Sequence, residues 1–236
     1  MATVPDPRQG VFETLLVLDG RPVEFAAHME RLKASLAKLF PDLPAPDLGE
    51  MDAPAKRGSL RITVMPIGKE LDMRASVQTV VQRSEPAALH SLCVPGGLGA
   101  HKWADRSLLD EAQAKLPADA LPLIVDDDGA VLEASRANIF AVRDGALLTP
   151  PTDGRILPGI TRMRILEIAA AAGRAVRETE LTHADLLVAD EVFLTGSVRG
   201  VERVRSIDGT ALALGGEVAS DLGAELRRTW LAAKVG

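Results

Sequence analysis

The sequence contains no tyrosine and a single cysteine, Cys93, among its 236 residues. One cysteine excludes an internal disulfide framework and a cysteine-rich metal site. No uncharged apolar run approaches the roughly 20 residues that a membrane-spanning helix needs. The first residues also lack the basic and then apolar pattern of a secretory leader. These absences predict a cytoplasmic protein with no membrane anchor and no metal centre.

Basic residues are fewer than acidic residues. Lysine and arginine together number 27 against 33 acidic residues, which gives a formal net charge of -6. This balance argues against a surface for nucleic acid or anionic membrane and favours a small-molecule partner. Only seven of the basic residues are lysines. Few candidates therefore exist for a nucleophilic amine.

Hydrophobic patterning divides the chain into two blocks. Alternation predicts a strand over residues 11–18, and a 3.6-residue period predicts a helix over residues 26–39. A glycine-rich stretch, residues 94–100, interrupts both the strand and the helix periodicity and therefore predicts a linker. The first block is therefore predicted to be a smaller N-terminal α/β domain, residues 1–93.

The second block, residues 101–236, is predicted to be the larger domain. Hairpins are expected over residues 121–134 and 139–149, where Asp-Gly pairs supply turns. The predicted helices of this block cover residues 104–115, 160–173 and 216–232. Strands and helices grouped in two blocks predict a two-domain α+β fold.

Lys102 differs from the other lysines because it follows the glycine-rich stretch and lies between His101 and Trp103. A lysine beside bulky, less polar neighbours loses solvation, which lowers its pKa and makes its amine nucleophilic. The local context alone favours an ordinary solvated lysine.

Two short segments have the composition of anion sites. Residues 154–162 lead into a predicted helix, whose first amides and positive dipole end suit a phosphate, and Thr161 adds a hydroxyl. The small-residue turn at 195–197 follows an apolar strand and allows close backbone approach to an anion. A simple helix entry capped by Thr161 is an equal alternative for the first segment.

Two charged residues stand in predicted strands. Glu133 ends an apolar strand, where its carboxylate could pair with a protonated ring nitrogen or with an arginine. Arg61 lies in a short β-type run, where it could face solvent or bind a phosphate. Neither residue decides the chemistry by itself.

Taken in order along the chain, these features resemble class IV aminotransferases. This is the fold-type IV group of pyridoxal-phosphate enzymes, with the D-amino-acid aminotransferase-like fold. It includes branched-chain and D-amino-acid aminotransferases and aminodeoxychorismate lyase. The segments that carry the resemblance are residues 10–14, 28–32, 101–106, 133–140, 149–151, 157–162 and 190–197.

The resemblance implies pyridoxal 5'-phosphate as the cofactor, held by Lys102 as a Schiff base. Lys102 is then also the catalytic residue that moves the proton. Glu133 would hydrogen-bond the pyridine nitrogen, Asn138 would hold the region around Glu133, and Arg61 would bind the phosphate. The rest of the phosphate site would come from amides and hydroxyls of Ile160, Thr161 and Ser197.

The reaction is the finer question. Many family aminotransferases have a tyrosine five residues after the lysine, where this chain has Ser107. The segment at 101–106 resembles the lyase branch. The sequence therefore predicts aminodeoxychorismate lyase, which makes 4-aminobenzoate and pyruvate for folate synthesis. An aminotransferase for branched-chain or D-amino acids is the alternative, and a non-catalytic relative is a further one.

The lyase substrate carries two carboxylates, so cationic side chains should line its pocket. Arg106, Arg162 and Arg199 are the candidates, and each could equally be a surface charge. The resemblance also implies a homodimer and a functional link to aminodeoxychorismate synthase.

Overall fold

The computed structural model describes residues 5–49, 51, 53–80 and 86–232. These residues form two compact units. The smaller unit takes the described residues up to 80, together with 101–106 and 230–232. The larger unit takes 86–100 and 107–229.

The smaller unit is a four-stranded antiparallel sheet with one helix. Its elements are β1 (Val11–Leu18), β2 (Arg21–Pro22), α1 (Phe25–Leu39), β3 (Arg57–Ile67) and β4 (Glu70–Thr79). The strand order is β2-β1-β3-β4. Alternate residues of β1 and β3, such as Leu15 and Ile62, are fully buried and pack with Leu32 and Leu36 of α1. The predicted strand over 11–18 and helix over 26–39 are confirmed.

A charged cluster is buried on the same side of β1. Glu13 is 1% exposed and is bound at both carboxylate oxygens by Arg31, at 2.8 and 2.7 Å. The Nδ1 atom of His28 lies 2.7 Å from the same carboxylate. His28 and Arg31 are three residues apart on α1 and therefore share a helix face. The cluster joins the helix to the first strand.

Burial and hydrogen bonding act in opposite directions on this cluster. Burial raises the pKa of Glu13, but the hydrogen bonds and charges of His28 and Arg31 outweigh it and lower the pKa to about 2. Burial lowers the pKa of His28 more than its hydrogen bond to Glu13 raises it. His28 is therefore a neutral ring whose Nδ1–H donates to the Glu13 carboxylate.

The other elements belong to the larger unit, except that the last three residues of the final helix group with the smaller unit. These elements are β5 (Ala87–Cys93), α2 (Ser107–Ala114), β6 (Ala120–Val125), β7 (Ala130–Ala134), β8 (Ala137–Arg143), β9 (Ala146–Thr149), α3 (Ile160–Ala171), β10 (Val176–Glu178), β11 (Leu181–Thr182), α4 (His183–Leu187), β12 (Glu191–Gly196), β13 (Gly200–Ile207), β14 (Thr210–Ala211) and α5 (Glu217–Ala232). No helix among the described residues is long and apolar enough to span a bilayer.

Six of these strands close into a barrel. The pairing runs β8-β12-β13-β5-β6-β7, and β7 also pairs with β8, which completes the ring. Apolar residues from every one of the six strands, such as Leu89, Leu123 and Ile139, form one buried cluster. Phe140 and Phe193 stack 5.2 Å apart on the other face of their strands. The barrel interior is a packed core, and functional side chains must lie elsewhere.

The predicted α+β class is confirmed, but the two units do not follow the predicted boundaries at 93 and 101. Residues 87–93 form β5, which pairs with β6 and β13 and so groups with the larger unit. Residues 101–106 group with the smaller unit because their backbone bonds to β1. The outer ends of the predicted domains, residues 1–4 and 233–236, lie outside the described part of the chain.

Gly10 generates a first prediction. It has a φ of +80°, and an added Cβ would lie 2.0 Å from the carbonyl oxygen of Val64. Gly10→Ala should lower the free energy of unfolding by about 3 kcal/mol, because it adds backbone strain and a clash with backbone. Gly68→Ala is the matched control: it has a φ of +62° with open space around it. It should cost about 1 kcal/mol. Urea unfolding measures both, and equal losses would contradict the clash.

Glu13 generates a second prediction, on pH. Its folded pKa is about 2 against an ordinary value of 4.5. The stabilisation, about 3 kcal/mol, is complete above pH 4.5 and disappears as the pH falls through the folded value. Urea unfolding of wild type and Glu13→Gln should therefore differ most at neutral pH and converge in acid. Asp72→Asn, which removes an exposed partner of Arg74, is the control and should change stability by under about 1 kcal/mol. A pH-independent difference would contradict the assignment.

Candidate active site

Lys102 is held by backbone hydrogen bonds to β1. The amide of Phe12 donates to the Lys102 carbonyl at 2.8 Å, and the amide of Ala104 donates to the Gly10 carbonyl at 3.0 Å. Val11 and Trp103 form an antiparallel bridge between these bonds. The segment therefore lies as a short extended stretch along β1. The position of Lys102 is fixed by backbone geometry as well as by packing.

The ring of Phe12 brings two of the predicted site residues together. The Lys102 amine nitrogen lies 4.9 Å from the ring centroid, and the guanidinium carbon of Arg61 lies 3.8 Å from it. Phe12 is only 4% exposed. Cations are attracted to the face of an aromatic ring. The arrangement places two positive charges around one buried ring, which suits an anionic ligand close to a reactive amine.

The neighbouring histidines have different partners. His101 contacts the Ser35 hydroxyl at 2.9 Å and meets the Trp103 ring edge to face. Burial lowers the pKa of His101, and the charge of Lys38 lowers it further. Burial is the main cause that lowers the pKa of His28, and the charge of Lys102 lowers it further. The buried Nε2 atom of His28 has no hydrogen-bond partner among the described residues. His101 therefore packs against α1 and Trp103.

The cluster of Glu13, His28 and Arg31 was missed as a unit. All three residues lie in the segments that carried the family resemblance, but none was given a role. A signal was present: a glutamate inside an otherwise apolar strand, and a histidine and an arginine three residues apart on one helix. The spacing predicts a shared face, but it does not predict that the face meets Glu13.

In the larger unit, Glu133 and Asn138 face each other across a hairpin. They are directly opposite in the pairing of β7 with β8. The Asn138 amide donates to the Glu133 carboxylate at 3.2 Å and to the Leu157 carbonyl at 2.9 Å. The Leu157 amide donates to the other Glu133 oxygen at 3.3 Å. Glu133 is 7% exposed. Its carboxylate is therefore buried and held in one direction, as an acceptor for a protonated ring nitrogen requires.

The beginning of α3 has the features of an anion site. Gly159 precedes the helix, and no side chain caps it. The Thr161 hydroxyl lies 3.4 Å from the Ser197 hydroxyl. The buried hydroxyl of Thr195 has no hydrogen-bond partner among the described residues. Helix amides and hydroxyls in this arrangement fit a phosphate group. Of the predicted phosphate residues, Ile160, Thr161 and Ser197 therefore come together.

Gly159 is required for this arrangement. A Cβ atom at this position would lie 2.0 Å from the side-chain oxygen of Asn138. Only glycine lets the start of the helix approach Asn138 this closely. The loop, the helix start and Glu133 are consequently linked through one side chain.

The three arginines expected to bind substrate lie in different settings. Arg162 is buried and donates to the Pro150 carbonyl at 2.8 Å and to Glu178 at 2.7 Å. Arg199 is exposed and bonds Glu202 at 3.1 Å. These contacts favour the structural alternative for both. Arg106 shares the short segment of Lys102. No group of three or more metal-binding side chains is found among the described residues.

The model of the family described as amino-transferase class IV matches residues 10–207. The branched-chain-amino-acid aminotransferase of Escherichia coli is 38% identical over 109 residues, which cover 46% of this chain and 35% of that protein. A chloroplastic enzyme of the same name from Arabidopsis thaliana is 35% identical over 160 residues, 66% of this chain and 38% of that protein. The matched segments thus span little more than a third of these curated relatives.

Solved structures resemble the chain over nearly its whole length. A hypothetical aminotransferase from Mycobacterium tuberculosis, in its PLP-bound form, has a TM-score of 0.82 and 25% identity, covering 99% of this chain and 94% of that one. A protein from Legionella pneumophila, provisionally assigned as a 4-amino-4-deoxychorismate lyase, has a TM-score of 0.82 and 23% identity. It covers 96% of this chain and 94% of its own. At that identity the likeness shows the fold alone.

The family, the fold and the cofactor expected from the sequence are therefore confirmed. The matched region includes both the Lys102 segment and the Glu133 hairpin, and the buried carboxylate and the helix start fit the ring nitrogen and the phosphate of pyridoxal phosphate. The chain belongs to the class IV aminotransferase family, the fold-type IV enzymes whose cofactor is pyridoxal phosphate.

Proposed function

We propose that this chain is a pyridoxal-phosphate-dependent lyase that converts 4-amino-4-deoxychorismate to 4-aminobenzoate and pyruvate. The observation that carries the catalytic assignment is the amine of Lys102, placed beside Arg61 against the buried ring of Phe12. The choice of the lyase is supported by the segment at 101–106 and by Ser107, which replaces the tyrosine of many family aminotransferases.

Lys102 would hold the cofactor through its side-chain amine. Once the substrate is bound, this amine would be free to take the proton from the substrate carbon that bears nitrogen. The two hydrogen bonds between the segment and β1 fix the backbone from which the amine extends. A positioned base of this kind reduces the entropy cost of proton transfer.

Glu133 would keep the ring nitrogen of the cofactor protonated. When bound, pyridoxal phosphate accepts the electron pair that remains after the proton leaves. A carboxylate beside the nitrogen strengthens this capacity, because it stabilises the N–H⁺ form. Asn138 and the Leu157 amide orient the carboxylate. The phosphate would be bound by the start of α3, by the hydroxyls of Thr161 and Ser197, and by Arg61.

The substrate then determines the outcome. With aminodeoxychorismate, the electron pair left by proton removal would expel the neighbouring group as enolpyruvate by breaking its C–O bond, and enolpyruvate would take up a proton to become pyruvate. The ring would become aromatic and would leave as 4-aminobenzoate, with Lys102 again holding the cofactor. Aromatisation makes the step favourable. Of the candidate arginines, Arg106 retains the best case for a substrate carboxylate because it lies four residues after Lys102 on the same short segment.

A branched-chain aminotransferase is the second candidate. Its support is the identity of 38% with the Escherichia coli enzyme over 109 residues. The same cofactor residues serve this reaction, in which the proton returns to the cofactor and an oxo acid accepts the amino group. The lack of any tyrosine argues against a standard member of that branch.

The proposal extends to assembly and location. As in the family, the chain would act as a homodimer. It would act in the cytoplasm, beside the synthase that makes aminodeoxychorismate. Light scattering of the purified protein at several concentrations tests the dimer.

The third prediction concerns Lys102. Purified, cofactor-loaded protein should release 4-aminobenzoate and pyruvate in equal amounts when the substrate is made in place by its synthase. Lys102→Ala should reduce both products by at least about a thousandfold, because the nucleophile and the base are lost together. Lys115→Ala changes an exposed lysine beyond α2 and should leave the rate unaltered.

The outcomes separate the candidates. Absence of both products from cofactor-loaded wild type contradicts the lyase. Activity that depends strictly on an added oxo acid favours the aminotransferase. Unaltered activity in Lys102→Ala contradicts both reactions as assigned here.

The fourth prediction concerns Glu133. Glu133→Gln preserves the shape of the side chain but removes its charge, so the ring nitrogen should lose its proton. We expect kcat to fall by about a hundredfold, with a smaller change in KM. Glu225→Gln removes an exposed partner of Arg228 in the same unit and is the control. Equal effects of the two substitutions would contradict the role of Glu133.

A further inference from the structure

Arg155 occupies the loop between β9 and α3 and binds acidic residues from three separate segments. Its guanidinium group lies 2.7 Å from Asp153, 2.8 Å from Glu180 and 3.2 Å from Asp126. Asp128 is 3.9 Å away. The Arg155 side chain is 21% exposed. A single exposed ion pair contributes little, but a partly buried arginine shared by several carboxylates is a network with defined geometry.

The same loop is attached to the glycine-rich stretch through backbone contacts. Gly99 donates its amide to the Arg155 carbonyl at 3.2 Å. Asp126, one of the partners of Arg155, accepts from the Gly96 amide at 2.7 Å. A Cβ atom on Gly97 would lie 2.2 Å from the Arg155 carbonyl oxygen. Side chain and backbone of Arg155 thus hold the loop against the turn that precedes Lys102 in sequence.

Two residues later the loop reaches Glu133. The backbone of Leu157 makes two hydrogen bonds there. Its amide donates to Glu133, and its carbonyl accepts from Asn138. Any shift of the loop therefore changes the direction of the Glu133 carboxylate. Arg155 has no role in the mechanism above, but it holds the segment on which that direction depends.

We infer that Arg155 is a positioning residue that sets the orientation of Glu133 through the Leu157 peptide. The inference rests on the proposed function, in which Glu133 binds the ring nitrogen of the cofactor. A network of four acidic groups around one arginine also means that its removal leaves uncompensated negative charge beneath the loop. That charge would push the loop away from its present position.

Packing keeps the loop folded without Arg155. Ile156 is 1% exposed and belongs to a buried cluster with Val94, Ile124 and Leu132. A substitution at Arg155 should therefore loosen the orientation of Leu157 without unfolding the larger unit. We expect the substitution to weaken the contact of Glu133 with the ring nitrogen of the cofactor. This effect can be measured separately from the free energy of unfolding.

The experiment compares two cofactors. Apo protein is titrated with pyridoxal phosphate and with its 1-deaza analogue, in which a C–H replaces the ring nitrogen. The recorded ratio is the Kd of the analogue divided by the Kd of pyridoxal phosphate. This ratio measures the contact of Glu133 with the nitrogen. Arg155→Met should reduce the ratio by about tenfold, because a charge-assisted hydrogen bond is weakened. The ratio for Arg155→Lys should lie between the ratios for wild type and Arg155→Met.

Arg205→Met is the matched control, because Arg205 bonds Asp119 and the Pro86 carbonyl in the same unit. It should leave the ratio at the wild-type value. Asp153→Asn, a milder change at the same network, gives a second variant if Arg155→Met does not fold, and it should also lower the ratio.

Three outcomes are informative. A reduced ratio in the Arg155 and Asp153 variants alone supports the inference. An unchanged ratio in those variants, when the wild type prefers pyridoxal phosphate, overturns the inference and leaves the proposed function intact. A wild type that binds both cofactors equally, or neither, overturns the role of Glu133 and with it the inference.

Discussion

The two backbone hydrogen bonds that tie the Lys102 segment to β1 are the contacts on which the candidate site depends. They hold the Lys102 segment in pairing with β1, and the Lys102 amine and the Arg61 guanidinium group both lie over the Phe12 ring. One of the bonds uses the carbonyl of Gly10, whose positive φ and close approach to β3 no other residue could adopt without strain. The buried cluster around Glu13 joins the same strand to α1. A strand with both kinds of contact is a rigid support for Lys102.

In the larger unit, Glu133 is a buried polar residue that needs hydrogen-bond partners. The barrel interior is filled with apolar side chains, so a buried carboxylate has to lie outside it. Glu133 is placed there by its pairing with Asn138, and the Leu157 peptide supplies a further hydrogen-bond donor. The loop network around Arg155 is the outermost layer of this support, beyond the residues that would touch the cofactor.

Much of the fold could be predicted from local patterns, and what could not depends on distant contacts. β1 and α1 were found because their apolar periods are strong. The helix expected over 104–115 begins only at Ser107, because the residues before it pair with β1. β5 and β13 were missed, since their partners lie far along the chain and their apolar patterns are weak. The predicted roles of Lys102 and Glu133 come from ordered motifs, whereas the contacts of Arg162 and Arg155 depend on acids that no local pattern connects to them.

The central claim is that Lys102 is the residue that holds the cofactor. Borohydride reduction of the protein loaded with pyridoxal phosphate, followed by peptide mass spectrometry, tests it most directly, because reduction fixes the cofactor on the lysine that binds it. We expect a single labelled peptide that contains Lys102 and carries the label on that residue, with none at the six other lysines. Label on another lysine, or no label on a protein shown to bind the cofactor, would contradict this role of Lys102.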